Sequence, residues 1–142
     1  MITACPFVAS EEIVVTDLDL GDIYRRYLAC LNQRDWASLG QFVGDEVTHN
    51  GRPFGLSGYR RMLEQDVLEI PDLQFNLELL VVEAPTIASR LQFDCTPAGI
   101  FLGLPINGRR IKFAENVFYT FRDAKIAEVW SVLDKAAIEA QI

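Results

Sequence analysis

The chain has 142 residues, of which half are hydrophobic and 23% are charged; this fits one globular domain with a sizeable core and excludes a disordered protein. The net charge of −7 argues against nucleic acid or an anionic membrane as a partner, because binding to either needs a basic surface. Three cysteines without a CxxC pair, and a single histidine, argue against a disulfide framework or a metal site, so we expect reduced thiols in a cytoplasmic protein.

A single domain is predicted over residues 1–142, with residues 1–15 as a loosely held arm. The N-terminus has no charged stretch followed by an apolar run, so we expect no signal peptide. No apolar run is long enough to cross a bilayer, and no membrane partner is expected.

Two helices are predicted in the first third of the chain. Apolar residues recur at helical spacing from Leu20 to Leu31 and predict an amphipathic helix with Asp19 as its N-cap. Tyr27 lies on the inward face of this helix, either as a hydrogen-bond donor to a pocket or as a core aromatic whose hydroxyl reaches the surface. Asp35 is predicted to cap a short second helix that runs through Val43.

A loop and a third helix follow. Turn residues place His49-Asn50-Gly51-Arg52-Pro53 in a loop near one mouth of the expected cavity, where His49 and Asn50 are either functional or merely solvated. The third helix is predicted from Ser57 until Ile70-Pro71 ends it, and its otherwise apolar stripe contains Asp66. Asp66 is therefore a candidate acid or base, unless the buried face is wider and Asp66 lies at its solvent edge.

The remaining residues predict an antiparallel sheet. Alternating polar and apolar residues predict strands over 73–81, 87–96, 110–121 and 125–133, with a Gly/Pro-punctuated segment over 99–108. Helices first and long strands later are typical of an α+β fold, with the helices packed on one face of the sheet. A strongly curved sheet closed by helices leaves a pocket between the two layers.

Glu115 lies on the apolar face of the third predicted strand. Desolvation there would raise the pKa of its carboxyl group, which suits a general acid or base. The alternative is a core acid that pairs with a cation such as Arg90. Arg90 in turn shares a strand face with Asp94, either as a pocket pair or as part of a solvated or dimer-facing row.

The turn at Arg122-Asp123-Ala124 decides which residues of the last two strands face each other. A three-residue turn with a bulge places Ser131 opposite Glu115, whereas a two-residue turn places Val132 there. We favour the three-residue turn, which directs Glu115 and Ser131 inward together. Asp134 follows the last strand and is predicted to cap a final helix rather than to act as a catalytic acid.

Short segments spread over most of the chain carry a family resemblance. They are Ile70-Pro71-Asp72-Leu73, Ala88-Ser89-Arg90, Gly103-Leu104-Pro105 with Gly108-Arg109, Phe121-Arg122-Asp123-Ala124-Lys125-Ile126, Glu128 with Trp130, Asp134 and Gln141. Together they resemble the SnoaL-like polyketide cyclase family, within the nuclear transport factor 2-like fold. The resemblance covers roughly residues 20–141. It implies a cone-shaped α+β barrel, a curved antiparallel sheet packed with N-terminal helices, and a homodimer through the convex face of that sheet.

One departure from that family bears on the chemistry. In its anthracycline-type cyclases, the acid/base aspartate lies three residues before the position of Asp134, where this chain has Ser131. The strand position of a polar pocket residue in those enzymes matches Glu115, and a histidine two residues further along matches Val117. The resemblance therefore implies that the aldol-type machinery is not carried over intact and that the proton-transfer groups have moved.

The leading hypothesis is a cofactor-independent enzyme that performs proton transfer on a small, mostly apolar substrate, as in cyclisation or isomerisation. The candidate acid and base groups are Glu115, Asp66 and His49, and the candidates for substrate binding are Tyr27, Asn50, Ser131 and Arg90. Two alternatives stay open. One is a non-catalytic ligand-binding or dimerisation domain of the same fold. The other is an epoxide-hydrolase-like enzyme that activates water through an Asp–Arg–Asp arrangement supplied by Arg90 with Asp94 or Asp134.

Overall fold

The computed structural model describes residues 15–142, so the predicted arm lies, apart from Val15, outside the described residues. The elements in chain order are α1 (Asp17–Asn32), a 3-10 helix (Trp36–Gln41), β1 (Val43–His49), α2 (Gly55–Glu69), β2 (Asn76–Glu83), β3 (Thr86–Cys95), β4 (Ile100–Phe101), β5 (Leu104–Pro105), β6 (Ile111–Arg122), β7 (Lys125–Leu133) and α3 (Lys135–Glu139). The predicted α+β class is confirmed. Within the described residues, no helix is long and apolar enough to cross a membrane.

Five strands form one sheet in the order β1-β7-β6-β3-β2, and β4 and β5 form a separate small hairpin. All neighbours in the large sheet are antiparallel except β1 and β7, which are parallel. The strand β1 was not predicted from the sequence. Its residues Val43 and Val47 are fully buried, but neighbouring Asp45 and Glu46 are exposed, and this short pattern resembles the end of a helix as much as a strand.

The inner face of the sheet and the helices α1 and α2 share one core. Every second residue of β3 is buried, as expected of a strand with one face on the core. The helix α1 contributes Leu20, Tyr24, Tyr27 and Leu31, each with 1% or less of its surface exposed. Burial of each such side chain contributes roughly 1.5–3 kcal/mol, so this stripe holds the helix on the sheet and fixes where its polar groups lie.

The predicted helices are correct in number but differ in detail. The helix α1 begins one turn earlier than predicted, because the Thr16 side chain, not Asp19, is the N-cap and accepts a hydrogen bond from the Asp19 backbone N–H. The second helix is a 3-10 helix without a side-chain cap at Asp35. Asp134 caps α3 as predicted, since its carboxylate accepts a hydrogen bond from the Ala137 backbone N–H at 3.1 Å.

The favoured register between β6 and β7 is wrong, although the faces are right. Asp123 and Ala124 form a two-residue turn with φ values of 52° and 63°, so Arg122 pairs with Lys125. A bulge at Ala127 then shifts the pairing by one residue. Ser131 therefore lies opposite Val117 and not opposite Glu115, but both Ser131 and Glu115 still face the inside of the sheet.

Candidate functional site

A cavity of about 220 Å³ lies between the inner face of the sheet and the helices α1 and α2. Most of its wall is apolar, and the polar atoms come from two carboxylic acids, three tyrosines, one histidine and one serine. The lining residues are Tyr27, Leu31, His49, Tyr59, Met62, Leu63, Asp66, Ile70, Leu73, Phe75, Phe93, Phe101, Phe113, Glu115, Tyr119, Val129, Ser131 and Leu133. A mostly apolar pocket with a few convergent polar groups is the usual form of a small-molecule site.

Glu115 projects from the central strand β6 into this cavity. It is shielded from bulk solvent, and the part of its surface that remains accessible lies against the cavity. Burial raises the pKa of its carboxyl group above the ordinary value, and a hydrogen bond donated by the Ser131 hydroxyl partly offsets that rise. Ser131 thereby stabilises the ionised form of Glu115.

Asp66 projects from α2 into the same cavity and not to the solvent edge of the helix. Desolvation raises the pKa of Asp66 to about 7, and the negative charges of Glu115 and Glu69 add to the rise. Among the ion pairs of the described residues, none includes Glu115 or Asp66. The two acids are therefore not neutralised by a cation in the way that a purely structural core acid would be.

His49 ends β1 and contributes one side of its ring to the cavity wall. The ring stacks on Phe54 with centroids 5.5 Å apart and meets the edge of Tyr59 at 6.2 Å. Desolvation, with a smaller effect of the Arg52 charge, lowers the pKa of His49. The imidazole is thus neutral at physiological pH and can donate or accept one hydrogen bond through each of its two nitrogens.

Two tyrosines meet in the wall opposite the strands. The hydroxyl groups of Tyr27 on α1 and Tyr59 on α2 lie 2.7 Å apart, and both side chains are almost completely buried. Burial raises the pKa of both phenols, so both stay protonated at any physiological pH. Tyr27 therefore lies in the cavity wall as predicted, together with a second phenol, Tyr59.

Asn50 does not line the cavity but holds the backbone of Ser131. Its side-chain Oδ1 accepts from the Ser131 backbone N–H at 2.8 Å, and its Nδ2 donates to the Ser131 carbonyl oxygen at 3.2 Å. Its own backbone N–H donates to the Val129 carbonyl at 2.8 Å. The carboxamide therefore extends the pairing of β1 with β7 by one residue, beside the serine that contacts Glu115. The structure therefore does not bring Asn50 together with the other candidate residues of the cavity wall.

We expect Asn50→Gly to destabilise the protein by about 1 kcal/mol, because it removes two hydrogen bonds while glycine accepts the φ of 50° at this position. Asn50→Ala adds roughly 1 kcal/mol more, since a left-handed conformation is strained for alanine. Urea unfolding measures both values. A carboxyl-carbon NMR titration of Asn50→Gly should also show a higher pKa for Glu115, because Ser131 is held less firmly. Wild-type stability for Asn50→Gly would contradict the assigned role.

Arg90 lies outside the cavity, and the structure does not bring it together with the other candidate residues. Its guanidinium pairs with Glu78 at 2.6 Å and donates to Asn116 at 3.0 Å on the outer face of the sheet. Asp94 pairs instead with Arg110, through two hydrogen bonds of 2.7 and 2.8 Å. Because Asp134 is a helix cap, no Asp–Arg–Asp arrangement of these residues converges inside the barrel, and the epoxide-hydrolase-like alternative loses its basis.

Three residues of the cavity wall were not among the candidates predicted from the sequence. Tyr59 and Tyr119 each occupy an inward position of a predicted element, and the signal that could have found them is that all four tyrosines of the chain fall on inward positions. Phe101 comes from the β4–β5 hairpin, whose placement over the cavity no periodicity indicates. Within residues 15–142, no group of three or more His, Cys, Asp or Glu side chains could hold a metal ion.

Comparison with known proteins identifies the family to which the chain is similar. The model of the family described as SnoaL-like polyketide cyclase matches residues 21–142. No functionally curated protein is similar enough to match the chain.

Solved structures extend the comparison. A SnoaL-like polyketide cyclase from Agrobacterium tumefaciens is 61% identical, with a TM-score of 0.85 over 86% of this chain and 96% of that one. TsrD from Streptomyces laurentii is 24% identical, with a TM-score of 0.78 over 90% of this chain and 97% of that one. At that lower identity the likeness extends to the fold alone. The family match over residues 21–142 and the 61% identical structure together place the chain in the SnoaL-like polyketide cyclase family.

Proposed function

We propose that the chain catalyses a proton transfer on a small, mostly apolar substrate bound in this cavity, without a cofactor, with cyclisation or isomerisation as the outcome. The observation that carries the proposal is the presence of two carboxylic acids, Glu115 and Asp66, with raised pKa values on the wall of one apolar cavity. Acids tuned in this way suit general acid and base work near neutral pH. Membership of a cyclase family is consistent with such chemistry.

The surroundings of the two acids divide the roles between them. Ser131 donates a hydrogen bond to Glu115 and favours its ionised form, so Glu115 is the base. Desolvation, with a smaller contribution from this negative charge, raises the pKa of Asp66 to about 7, so that Asp66 is protonated in a large part of the molecules at neutral pH and is the acid. Two carboxyl groups whose environments separate their protonation states form an acid/base pair.

The proposal is tested by hydrogen–deuterium exchange of a small ketone with acidic α-protons. We expect the protein to accelerate exchange at the α-carbon of 2-tetralone in D₂O, followed by proton NMR, above the rate in buffer alone. Arg90→Ala is the matched control and should keep the full rate, because Arg90 lies on the outer face. Exchange at the buffer rate, with the ketone bound, would contradict the proposal and favour the alternative of a non-catalytic binding domain.

We also propose that the outer face of the sheet is the interface of a homodimer. Val81, Ala88, Phe118 and Trp130 pair in one row across β2, β3, β6 and β7. Phe118, on the central strand, is 56% exposed; Trp130 beside it is 46% exposed, and Val81, two strands away on the other side, is 55% exposed. A contiguous exposed apolar patch of this kind is typical of an interaction surface.

Light scattering at low micromolar concentration is expected to give about 32 kDa, twice the 16.0 kDa of one chain. Phe118→Lys should shift the protein to the monomer, because it places a charge at the centre of the row. Leu68→Lys is the control, since Leu68 is 72% exposed but lies on α2, away from this face. A wild-type mass near 16 kDa, or equal masses for the two variants, would refute the interface.

A further inference from the structure

The Tyr27–Tyr59 pair in the cavity wall has two hydroxyl protons, but the hydrogen bond between the two residues involves only one of them. Each phenol carries a single O–H, and the contact of 2.7 Å between Tyr27 and Tyr59 consumes one of the two protons, whichever residue donates. Among residues 15–142, neither hydroxyl has a further hydrogen-bond partner. Since both side chains line the cavity, a group inside the cavity is the acceptor within reach. A buried donor without an acceptor costs free energy that such a group would recover.

The charges of the cavity wall are of one sign. Its ionisable residues are Asp66, Glu115, the neutral His49 and the phenols, and no Lys or Arg of the described chain lines it. A ligand with a carboxylate or phosphate would lie in this apolar space beside Glu115 without a partner for its charge, and like charges at close range cost several kcal/mol. The wall is therefore unsuited to anions.

The size of the cavity limits the ligand further. Its volume of about 220 Å³ is below the range of roughly 300–1,000 Å³ that is usual for drug-sized ligands. Aromatic side chains such as Phe93 and Phe113 form much of the wall, with ring centroids 5.1 Å apart, and they favour flat rings as partners. A compact system of one or two rings fits this space.

We infer that the cavity takes an uncharged ligand of one or two rings, whose oxygen atom accepts the unshared proton of the Tyr27–Tyr59 pair, and that it excludes ligands with a carboxylate or phosphate. This inference rests on the proposed function only in taking the same cavity as the substrate site. It names the Tyr27–Tyr59 pair as the anchor and places the ligand oxygen on the wall opposite β6. The adjoining carbon then faces β6, the strand that carries Glu115.

The test compares four naphthalenes of similar size by calorimetric titration of the wild-type protein at pH 8. They are 2-acetylnaphthalene (a ketone), 2-naphthoate (its near-isosteric anion), 2-(aminomethyl)naphthalene (a cation) and 2-methylnaphthalene (a hydrocarbon). We expect the ketone to bind, and the anion to bind at least about tenfold more weakly. Absence of ketone binding, equal binding of the anion, or tighter binding of the cation would each overturn the inference.

Variants of the Tyr27–Tyr59 pair distinguish an anchor from a merely structural role, because only loss of an anchor would weaken ketone binding without weakening hydrocarbon binding. Tyr27→Phe and Tyr59→Phe each leave one free phenolic proton, so each should weaken ketone binding by less than about threefold. The double variant removes the donor and should weaken ketone binding by about tenfold, with hydrocarbon binding unchanged. Equal losses for ketone and hydrocarbon would mean that the pair only shapes the cavity, and would overturn the anchor.

Glu115→Gln tests the exclusion of anions separately. Its loss of charge should improve 2-naphthoate binding by about tenfold and leave ketone binding within about twofold. No improvement would refute the electrostatic explanation. These results are distinct from the exchange assay: a protein that binds the ketone selectively but exchanges no protons keeps this inference and loses the proposed function. A protein that exchanges protons but binds the anion as well as the ketone keeps the proposed function and loses this inference.

Discussion

Glu115→Gln is expected to lower the rate of α-proton exchange by about 10²–10⁴-fold, the usual contribution of a positioned general base. Glutamine has nearly the same shape and can still accept the hydrogen bond from Ser131, so the fold and the cavity should persist. The loss would then reflect the missing basic oxygen. Single-turnover exchange measured by NMR, together with the affinity for 2-acetylnaphthalene, separates this effect from a loss of binding.

Ser131→Ala is the informative partner of that variant. It removes the hydrogen bond that lowers the pKa of Glu115, so the pKa of Glu115 should rise further. Because Glu115 must be ionised to act as the base, the acidic limb of the pH–rate profile should move to higher pH, with little change in the maximal rate. An unchanged profile for Ser131→Ala, or a full rate for Glu115→Gln, would exclude Glu115 as the base.

Asp66→Asn is expected to stabilise the protein at pH 8 and to have little effect at pH 4. The folded state raises the pKa of Asp66 to about 7, so it holds its proton more tightly than the unfolded state does. The stability that this gives is complete below the ordinary pKa of 3.8 and is lost as the pH rises through about 7. Replacement by a neutral amide avoids the loss, which corresponds to roughly 2–4 kcal/mol, on the order of 5–10 °C in Tm.

Thermal unfolding of the wild type and Asp66→Asn between pH 4 and 8 measures this difference. Asp94→Asn is the control of opposite sign, because the hydrogen bonds with Arg110 lower the pKa of Asp94. The stability that the ionised Asp94 contributes is present above its ordinary pKa and is lost as the pH falls through its lowered pKa. Asp94→Asn should therefore not stabilise the protein at pH 8. If Asp66→Asn is not more stable than the wild type at pH 8, Asp66 is not a buried acid.

Much of the site follows from periodicity alone. Asp66 and Glu115 each interrupt an apolar pattern at an inward position, and both lie in the cavity wall. Periodicity reports which face of an element a side chain occupies, and a single buried layer makes all inward faces converge. That is why two acids distant in the chain could be assigned to one site before any contact was known.

Periodicity does not report contacts between residues that are far apart in the chain. Arg90 is a different case, because the alternation of β3 itself places it with Glu78 on the outer face. Asn50 has a functional side chain by type, yet its position at the end of β1 makes it a partner of the β7 backbone. The parallel pairing of β1 with β7 joins residues about 80 positions apart, and no local pattern encodes it.

The bulge at Ala127 also governs how insertions and deletions act on this strand pair. A regular ladder that kept Ala127 after the two-residue turn would bring Val132 opposite Glu115 and rotate Ser131 to the outside. Deletion of Ala127 would instead leave all pairs from Thr120–Glu128 onward intact. When this chain is aligned with a relative whose strand is one residue shorter, the gap therefore belongs at Ala127 and not in the turn; otherwise every cavity residue of β7 is matched to a residue of the opposite face.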